Sequence, residues 1–233
     1  MTDEEFYGKI DFTVEVRGDE DWIEVTPYIE AEAERPMTLI AAFRVDSMEM
    51  IESARIPLEP GRNRVPFLQS VLIGRPALWH PCGRGNPSLY SLTVIFYRKG
   101  MPYYFIEKRV GFRFAELTSD ALFINGNEVS CVRFEPDFSL PEEQFEALCS
   151  EAASGPVFLR DSDPALEAKL ERCNKFGVVA VMELTGLRTP SFFSTHPCVC
   201  VFTAAPGSEG EKSCRNGSGH APLVSMKRLL KLF

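Results

Sequence analysis

The chain has 233 residues, of which 45% are hydrophobic and 25% are charged, and its formal net charge is -8 at pH 7. This length and composition allow one large domain or two modest domains with hydrophobic cores. The acidic balance argues against nucleic acid and against an anionic membrane surface as the main partner, because both require a basic footprint.

The N-terminal residues 1–5 are polar and acidic, and no apolar run has the length needed to cross a bilayer. We therefore expect a cytoplasmic protein. The seven cysteines are odd in number and none forms a C-x-x-C pair, which predicts reduced thiols. No nearby histidine or cysteine completes a tetrahedral set around Cys198 and Cys200, so we expect no metal site and no cofactor.

The first half of the chain has the pattern of short strands separated by frequent turns. The predicted strands are 12–16, 22–28, 37–45, 53–58, 64–71, 89–94 and 103–114, the last two joined through a turn at residues 99–102. This spacing is typical of a seven-stranded sandwich of immunoglobulin-like architecture. Gly111 lies inside the last predicted strand, where a missing side chain indicates a bulge or a close backbone approach.

Beyond Thr118 the pattern changes to alternating helices and strands. Helices are predicted at 141–153 and 163–176, and apolar strands at 156–160, 178–183 and 198–203. Such alternation favours parallel strand pairing. A Gly/Ser-rich stretch, 206–219, then precedes a basic tail, 223–233. The tail predicts a short amphipathic helix that packs at a domain edge, with a membrane-surface role as the alternative. The fold class is therefore α+β and multidomain, with domains at 1–117 and 118–233.

Three stretches resemble one family in their order along the chain. They are LWHPCGRGNPSLYSLTV at 78–94, EKRVGFR at 107–113 and FINGNEV at 123–129. The series is similar to the family 2 glycoside hydrolases, the β-galactosidase and β-mannosidase group, where an immunoglobulin-like sandwich meets the catalytic barrel. More weakly, residues 158–160 resemble the second barrel strand, 170–183 resemble a helix and the third strand, and 196–203 resemble the stretch that leads into the fourth strand. The resemblance implies a sandwich followed by a reduced, partial TIM-barrel-like β/α domain.

The resemblance also places the acid/base position. In the family the fourth strand ends in an Asn-Glu pair, and retaining hydrolysis needs a second carboxyl about 5 Å away. This chain has Pro206-Gly207 there. The nearest carboxyls are Glu209 and Glu211, but a shift of two or more residues along a loop moves a carboxyl by several ångströms. Glu209 and Glu183 are therefore only weak catalytic candidates. The strand that would carry the nucleophile is also expected to be missing, because a whole barrel takes roughly 250 residues and only residues 117–233 are left for it.

The same resemblance assigns two ligand-binding candidates, Arg160 at the mouth of the second strand and Glu183 after the third. The alternative for both is an ion pair at a strand terminus. Trp79 is interpreted as a core residue at the sandwich edge, with a sugar-stacking platform as the alternative. Arg113 is interpreted as a donor of a hydrogen bond or ion pair between domains.

These observations predict a pseudoenzyme, a catalytically defective relative that acts as a binding or assembly module in carbohydrate metabolism. One alternative is an active or split β-glycosidase that uses repositioned or partner-supplied carboxylates. A third is a structural interaction protein without sugar affinity. A half barrel leaves a β/α edge uncovered, so we expect a homo-oligomer or a partner chain at that edge. We expect no nucleic acid and no membrane as partner.

Overall fold

The structure is a computed structural model that describes residues 6–46, 51–118, 121–129, 132, 134–151, 155–188, 193, 196–204 and 223–225. Only the backbone is described for 51–54, 151 and 223–225. The chain divides into two compact units, Met1–Pro76 with Tyr90–Val110, and Ala77–Leu89 with Gly111–Phe233. The sequence analysis placed the domain boundary after residue 117. That boundary would assign residues 77–89 and 111–117 to the first unit, whereas the structure assigns them to the second.

The first unit consists of eight strands among its described residues. They are β1 (Asp11–Gly18), β2 (Trp22–Ala33), β3 (Met37–Val45), β4 (Ile51–Leu58), β5 (Gly61–Pro66), β6 (Val71–Gly74), β7 (Tyr90–Arg98) and β8 (Met101–Val110). One antiparallel sheet contains β1, β2, β5 and β6, and a second has the order β4-β3-β7-β8. Every pairing within these two sheets is antiparallel.

The two sheets form a β-sandwich because each strand alternates apolar and polar residues. Along β2 the side chains of Ile23, Val25 and Ile29 are fully buried, while the alternate residues Glu24, Thr26 and Tyr28 are partly exposed. Phe12 on β1 meets Phe43 on β3 with ring centroids 6.2 Å apart, so the core is shared by both sheets.

Most strand predictions for this unit are confirmed, and β3 has the predicted limits. The β7–β8 turn is Lys99-Gly100, with φ of 51° and 79°, as a two-residue hairpin turn requires. The single strand predicted at 64–71 is wrong. It is divided into β5 and β6, because the twelve-residue β2 has two partners, each pairing with one half. The strand predicted to reach residue 114 ends at Val110.

The second unit contains, in its described part, seven strands and two helices. They are β9 (Ala115–Leu117), β10 (Leu122–Ile124), β11 (Asn127–Glu128), α1 (Glu142–Glu151), β12 (Val157–Arg160), α2 (Leu166–Phe176), β13 (Ala180–Leu184), β14 (Val199–Ala204) and β15 (Leu223–Ser225). The first three strands form a small antiparallel sheet, and the last four form a parallel sheet in chain order. Taken over the described residues, the protein is therefore mostly β.

The predicted parallel pairing of β12, β13 and β14 is confirmed. Helix α2 ends as predicted at Gly177, whose left-handed φ of 71° allows the last turn to close with a hydrogen bond from Val178 N to Cys173 O. The amphipathic helix predicted from residue 223 is wrong for 223–225, which pair with β14 as a strand. The remainder of that predicted helix lies outside the described residues.

Candidate functional site

The carboxyl ends of β12 and β13 lie side by side. Arg160 and Glu183 are register partners in the parallel ladder and are the last or next-to-last residues of their strands. In parallel α/β sheets the loops after these ends are where ligand-binding side chains converge. The structure therefore brings together the two ligand-binding candidates of the sequence analysis.

Arg160 and Glu183 form an ion pair at this edge. Arg160 Nε donates to Glu183 Oε2 at 2.6 Å, with side-chain exposures of 70% and 32%. The ion pair offered as the alternative interpretation is thus present, and the exposed part of both groups still faces solvent. A pair this exposed contributes only about 0–1 kcal/mol to stability. The arrangement supplies a guanidinium donor and a carboxylate acceptor next to each other.

Asp161, the residue after β12, was not singled out by the sequence analysis. It is 2% exposed, and its carboxylate accepts hydrogen bonds from the loop that follows β13. Thr185 N and Thr185 Oγ1 donate to Oδ1 at 3.0 and 2.6 Å. Gly186 N, Leu187 N and Arg188 N donate to Oδ2 at 3.2 to 3.4 Å. One carboxylate therefore fixes the loop beside the Arg160–Glu183 pair.

The hydrogen bonds that the Asp161 carboxylate accepts also determine its pKa. Burial raises the pKa of the Asp161 carboxyl, but the hydrogen bonds from the Thr185 side chain and from the backbone of 185–188 outweigh it. The net pKa lies below the ordinary value for aspartate. Asp161 is therefore an ionised acceptor at neutral pH and not a proton donor. An aspartate directly after a buried strand was the available sequence signal.

Trp79 does not lie at this edge as a stacking platform. It is 0% exposed in the core of the second unit, and its indole Nε1 donates to Asn174 O at 2.8 Å. The core interpretation of Trp79 is correct, although the core is that of the second unit. Asn174, also missed by the sequence analysis, contacts His196 Nδ1 through its side-chain nitrogen at 2.9 Å and accepts from Cys198 N at 3.2 Å.

Gly111 is a position of close approach, as predicted. A β-carbon there would lie 2.7 Å from Pro197 Cγ and 2.8 Å from Trp79 Cβ. The nearby Arg113 donates to Cys200 Sγ at 3.2 Å and to Val199 O. Arg113 is therefore a hydrogen-bond donor as predicted, but the prediction that it joins two domains is wrong, because it and both acceptors belong to the second unit.

The five cysteines in the described part of the chain are free, as predicted, and four of them are buried. Burial raises the pKa of the Cys149 thiol to about 12 and also raises the pKa of Cys200 against the opposing charge of Arg113. These thiols are protonated packing groups and are poor nucleophiles. Cys131 and Cys214 lie outside the described residues.

Glu209 and the Pro206-Gly207 pair also fall outside the described residues. Among the residues with a described structure, no three histidine, cysteine or acidic side chains are grouped to hold a metal ion. Neither described helix combines the length and apolar character of a membrane span.

Comparison with known proteins supports the family resemblance. Residues 8–113, somewhat less than half of the chain, match the family described as "Glycosyl hydrolases family 2". The predicted resemblance to this family is confirmed. A search of curated proteins gave no match.

Solved structures of similar fold include three enzymes. The exo-chitosanase of Amycolatopsis orientalis has a TM-score of 0.72 and 16% identity, and the match covers 93% of this chain and 32% of that chain. The β-D-mannosidase of Dictyoglomus thermophilum has a TM-score of 0.67 and 16% identity, with 92% and 34% covered. The β-glucuronidase 2 of Bacteroides uniformis has a TM-score of 0.62 and 15% identity, with 97% and 30% covered.

At these identities the likeness is one of fold. The chain spans about a third of the length of the structures it matches.

Proposed function

We propose that the protein is a catalytically defective relative of the family 2 glycoside hydrolases that acts as a carbohydrate-related binding or assembly module. The observation that carries this proposal is the exposed Arg160–Glu183 pair at the carboxyl ends of two parallel strands. Sugar hydroxyls both donate and accept hydrogen bonds, so a guanidinium and a carboxylate held together can bind neighbouring hydroxyls. What supports ligand contact is the place of the pair at the carboxyl ends of parallel strands, where ligand sites of such sheets occur.

The defect in catalysis is proposed from the state of the carboxylates at this edge. Retaining hydrolysis needs one protonated acid and one ionised nucleophile, and both must reach the scissile bond. Glu183 is engaged by Arg160, and the Asp161 carboxylate is ionised and surrounded by five donors. Pro206-Gly207 provides no titratable group at the position where the resemblance requires one.

The same proposal includes the architecture of the two units. We interpret the sandwich as immunoglobulin-like and the parallel sheet as a reduced TIM-barrel-like β/α unit. Within the described residues, β12 and β15 are the outer strands of that sheet. We propose that a further chain or a second copy covers an exposed edge of this sheet, because the unpaired backbone groups of an edge strand can pair with another chain. The free thiols support a reducing compartment such as the cytoplasm.

The proposal is tested by calorimetric titration of the chain with methyl β-glycosides and oligosaccharides. We expect at least one of these sugars to bind, and Arg160→Ala and Glu183→Gln to weaken binding by at least about tenfold, which corresponds to one or two lost charge-assisted hydrogen bonds. Glu142→Gln is the matched control, because Glu142 forms a comparably exposed ion pair with Lys175 between the two helices. Its titration is expected to match the unmodified chain.

Aryl β-galactosides, mannosides and glucuronides test the catalytic part, and no turnover is expected. Turnover that is abolished by Glu183→Gln or Glu209→Gln would establish the active glycosidase instead. Activity that returns only when a partner chain is added would establish the split enzyme. Flat titrations with every sugar would support the structural interaction protein without sugar affinity.

A further inference from the structure

The outer face of the β4-β3-β7-β8 sheet carries an exposed apolar centre. Phe105 is 68% exposed and Ile40 is 48% exposed. Phe105 is the register partner of Ile95, and Ile40 is the partner of Tyr97, so these four side chains lie on one face of the sheet. Contiguous exposed apolar surface of this kind marks interaction sites.

Arginines surround this apolar centre. Arg44 follows Ile40 by four residues on β3, Arg109 follows Phe105 by four on β8, and Arg55 is the exposed residue next to buried Ile56 on β4. The alternation of each strand places all three on the outer face. Among the side chains described on this face one is acidic, Glu107, which accepts a hydrogen bond from Ser91 Oγ at 2.7 Å and is outnumbered by the three arginines. We call these apolar and charged residues together the basic face. It carries positive charge on a chain whose net charge is -8.

The other sheet of the same unit has an exposed apolar site of opposite charge. Trp22 is 46% exposed and Leu72 is 70% exposed. Trp22 pairs with Gly74, and Leu72 pairs with Glu24, so both apolar side chains lie on the outer face. The absence of a side chain at Gly74 leaves nothing within 4 Å of its β-carbon position. The surface beside Trp22 is therefore open.

Acidic residues border this second site. Asp19, Glu20 and Asp21 are exposed in the turn before Trp22, and Asp19 Oδ1 accepts from Asp21 N at 3.0 Å and Trp22 N at 3.2 Å. The turn is thus ordered by its own hydrogen bonds. Together with Glu24 these acids outnumber the two bases nearby, Arg17 and Arg75. We call Trp22, Leu72 and the four acids the acidic face.

From these two faces we infer that copies of this chain associate head to tail, the basic face of one on the acidic face of the next. Each face combines an apolar centre with an excess of charges of one sign, and the two excesses are opposite, which is the complementarity that guides protein association. A two-fold contact between identical faces would place arginines on arginines or acids on acids. Such like-charge contacts are unfavourable. A head-to-tail contact repeats until it closes as a ring or continues as a filament. This interface is separate from the β/α edge considered above.

The test uses the full chain with one face disabled at a time. Phe105→Glu places an acid in the basic face, and Leu72→Arg places a base in the acidic face. Sedimentation velocity of the unmodified chain is expected to show association that grows with protein concentration and weakens with added salt. Each variant alone is expected to associate at least about tenfold more weakly, as for a central interface residue.

Mixing the two variants is the decisive measurement. Each variant retains the face that the other has lost, so a fluorescently labelled Phe105→Glu chain is expected to form a one-to-one complex with Leu72→Arg. Leu187→Arg is the matched control, because Leu187 is 72% exposed but lies in the second unit, and it is expected to associate like the unmodified chain. Circular dichroism of each variant checks that the fold is retained.

Three outcomes would overturn the inference. The unmodified chain could remain monomeric at all concentrations, which would leave both faces unpaired between copies. The mixture could fail to form the complex although both variants are folded. One variant alone could associate as well as the unmodified chain, which would indicate a two-fold contact through the other face.

Discussion

The two units bury their strands in different ways. In the first unit a strand such as β2 alternates between buried and partly exposed residues, and one face of each sheet remains open to solvent. In the second unit β14 is buried at all six of its residues. An antiparallel sandwich therefore presents the faces of its sheets, whereas a buried parallel sheet presents only the ends of its strands. The docking faces proposed here lie in the first unit, and the proposed ligand site lies in the second.

The two tryptophans of the chain provide the largest test of this difference. Trp79→Ala is expected to lower the free energy of unfolding by about 3–5 kcal/mol, because the side chain is fully buried and bonded to Asn174 O. Trp22→Ala, at a 46% exposed position of the first unit, is expected to cost less than about 1 kcal/mol. Urea denaturation followed by circular dichroism measures both. Equal losses would contradict the assignment of Trp79 to a packed core.

Two glycines of the second unit isolate the cost of close packing in a smaller test. Gly177 and Gly126 have similar left-handed φ values, 71° and 73°, but a β-carbon at Gly177 would lie 2.6 Å from Cys82 N, whereas nothing lies within 4 Å at Gly126. Gly126→Ala is expected to cost about 1 kcal/mol from backbone strain alone. Gly177→Ala is expected to cost about 1–3 kcal/mol more, because the backbone of residue 82 must move. The same denaturation experiment checks the difference, and similar losses would show that residues 80–82 do not pack on the end of α2.

The smallest test compares one carboxylate from each unit. The pKa of Asp161 is lowered in the folded state, so its stabilising contribution is complete above the unfolded pKa near 3.9 and is lost as pH falls through the folded value. Asp161→Asn is expected to cost about 1–3 kcal/mol at neutral pH, since backbone donors lose an acceptor, and the stability of this variant should decline less on acidification.

Glu15 is the counterpart of Asp161 in the first unit. Burial raises its pKa, but the hydrogen bonds from Arg64 and Tyr28 together with the charges of Arg64 and Arg17 outweigh this effect, so the net pKa shift is also downward. Because this side chain is more exposed, Glu15→Gln is expected to change stability by less than about 1 kcal/mol. Denaturation at several pH values distinguishes the two. If Glu15→Gln removed more of the loss of stability at low pH than Asp161→Asn does, Glu15 would be the more important carboxylate and the comparison would be reversed.

Local patterns were sufficient for many elements of the fold. The alternation of residues 37–45 predicted β3 with its limits, and Gly177 marked the end of α2 because only a residue that tolerates a left-handed conformation closes a helix in this way. Alternation did not reveal the division between β5 and β6. That break arises because β2 pairs with both strands, and pairing partners are not encoded locally.

For the site, family resemblance predicted the two residues that meet, Arg160 and Glu183, and the structure defines how they meet. Asp161 was missed because its role depends on backbone N–H groups 24 to 27 residues away in sequence. Trp79 was placed at the edge of the sandwich because its own motif precedes a sandwich strand. In the structure its side chain is instead buried in the core of the second unit, where it donates a hydrogen bond to Asn174 O.

The sequence by itself determined the strand and helix periodicities, the change from antiparallel to alternating β/α organisation, and the absence of a carboxyl at residues 206 and 207. These depend on neighbouring residues and on side-chain chemistry alone. Only the tertiary structure decided which unit takes up residues 77–89, which carboxylate is cradled by a loop and which apolar side chains remain open on the sheets. Those features depend on contacts between residues far apart in the chain, where burial and hydrogen bonding act together.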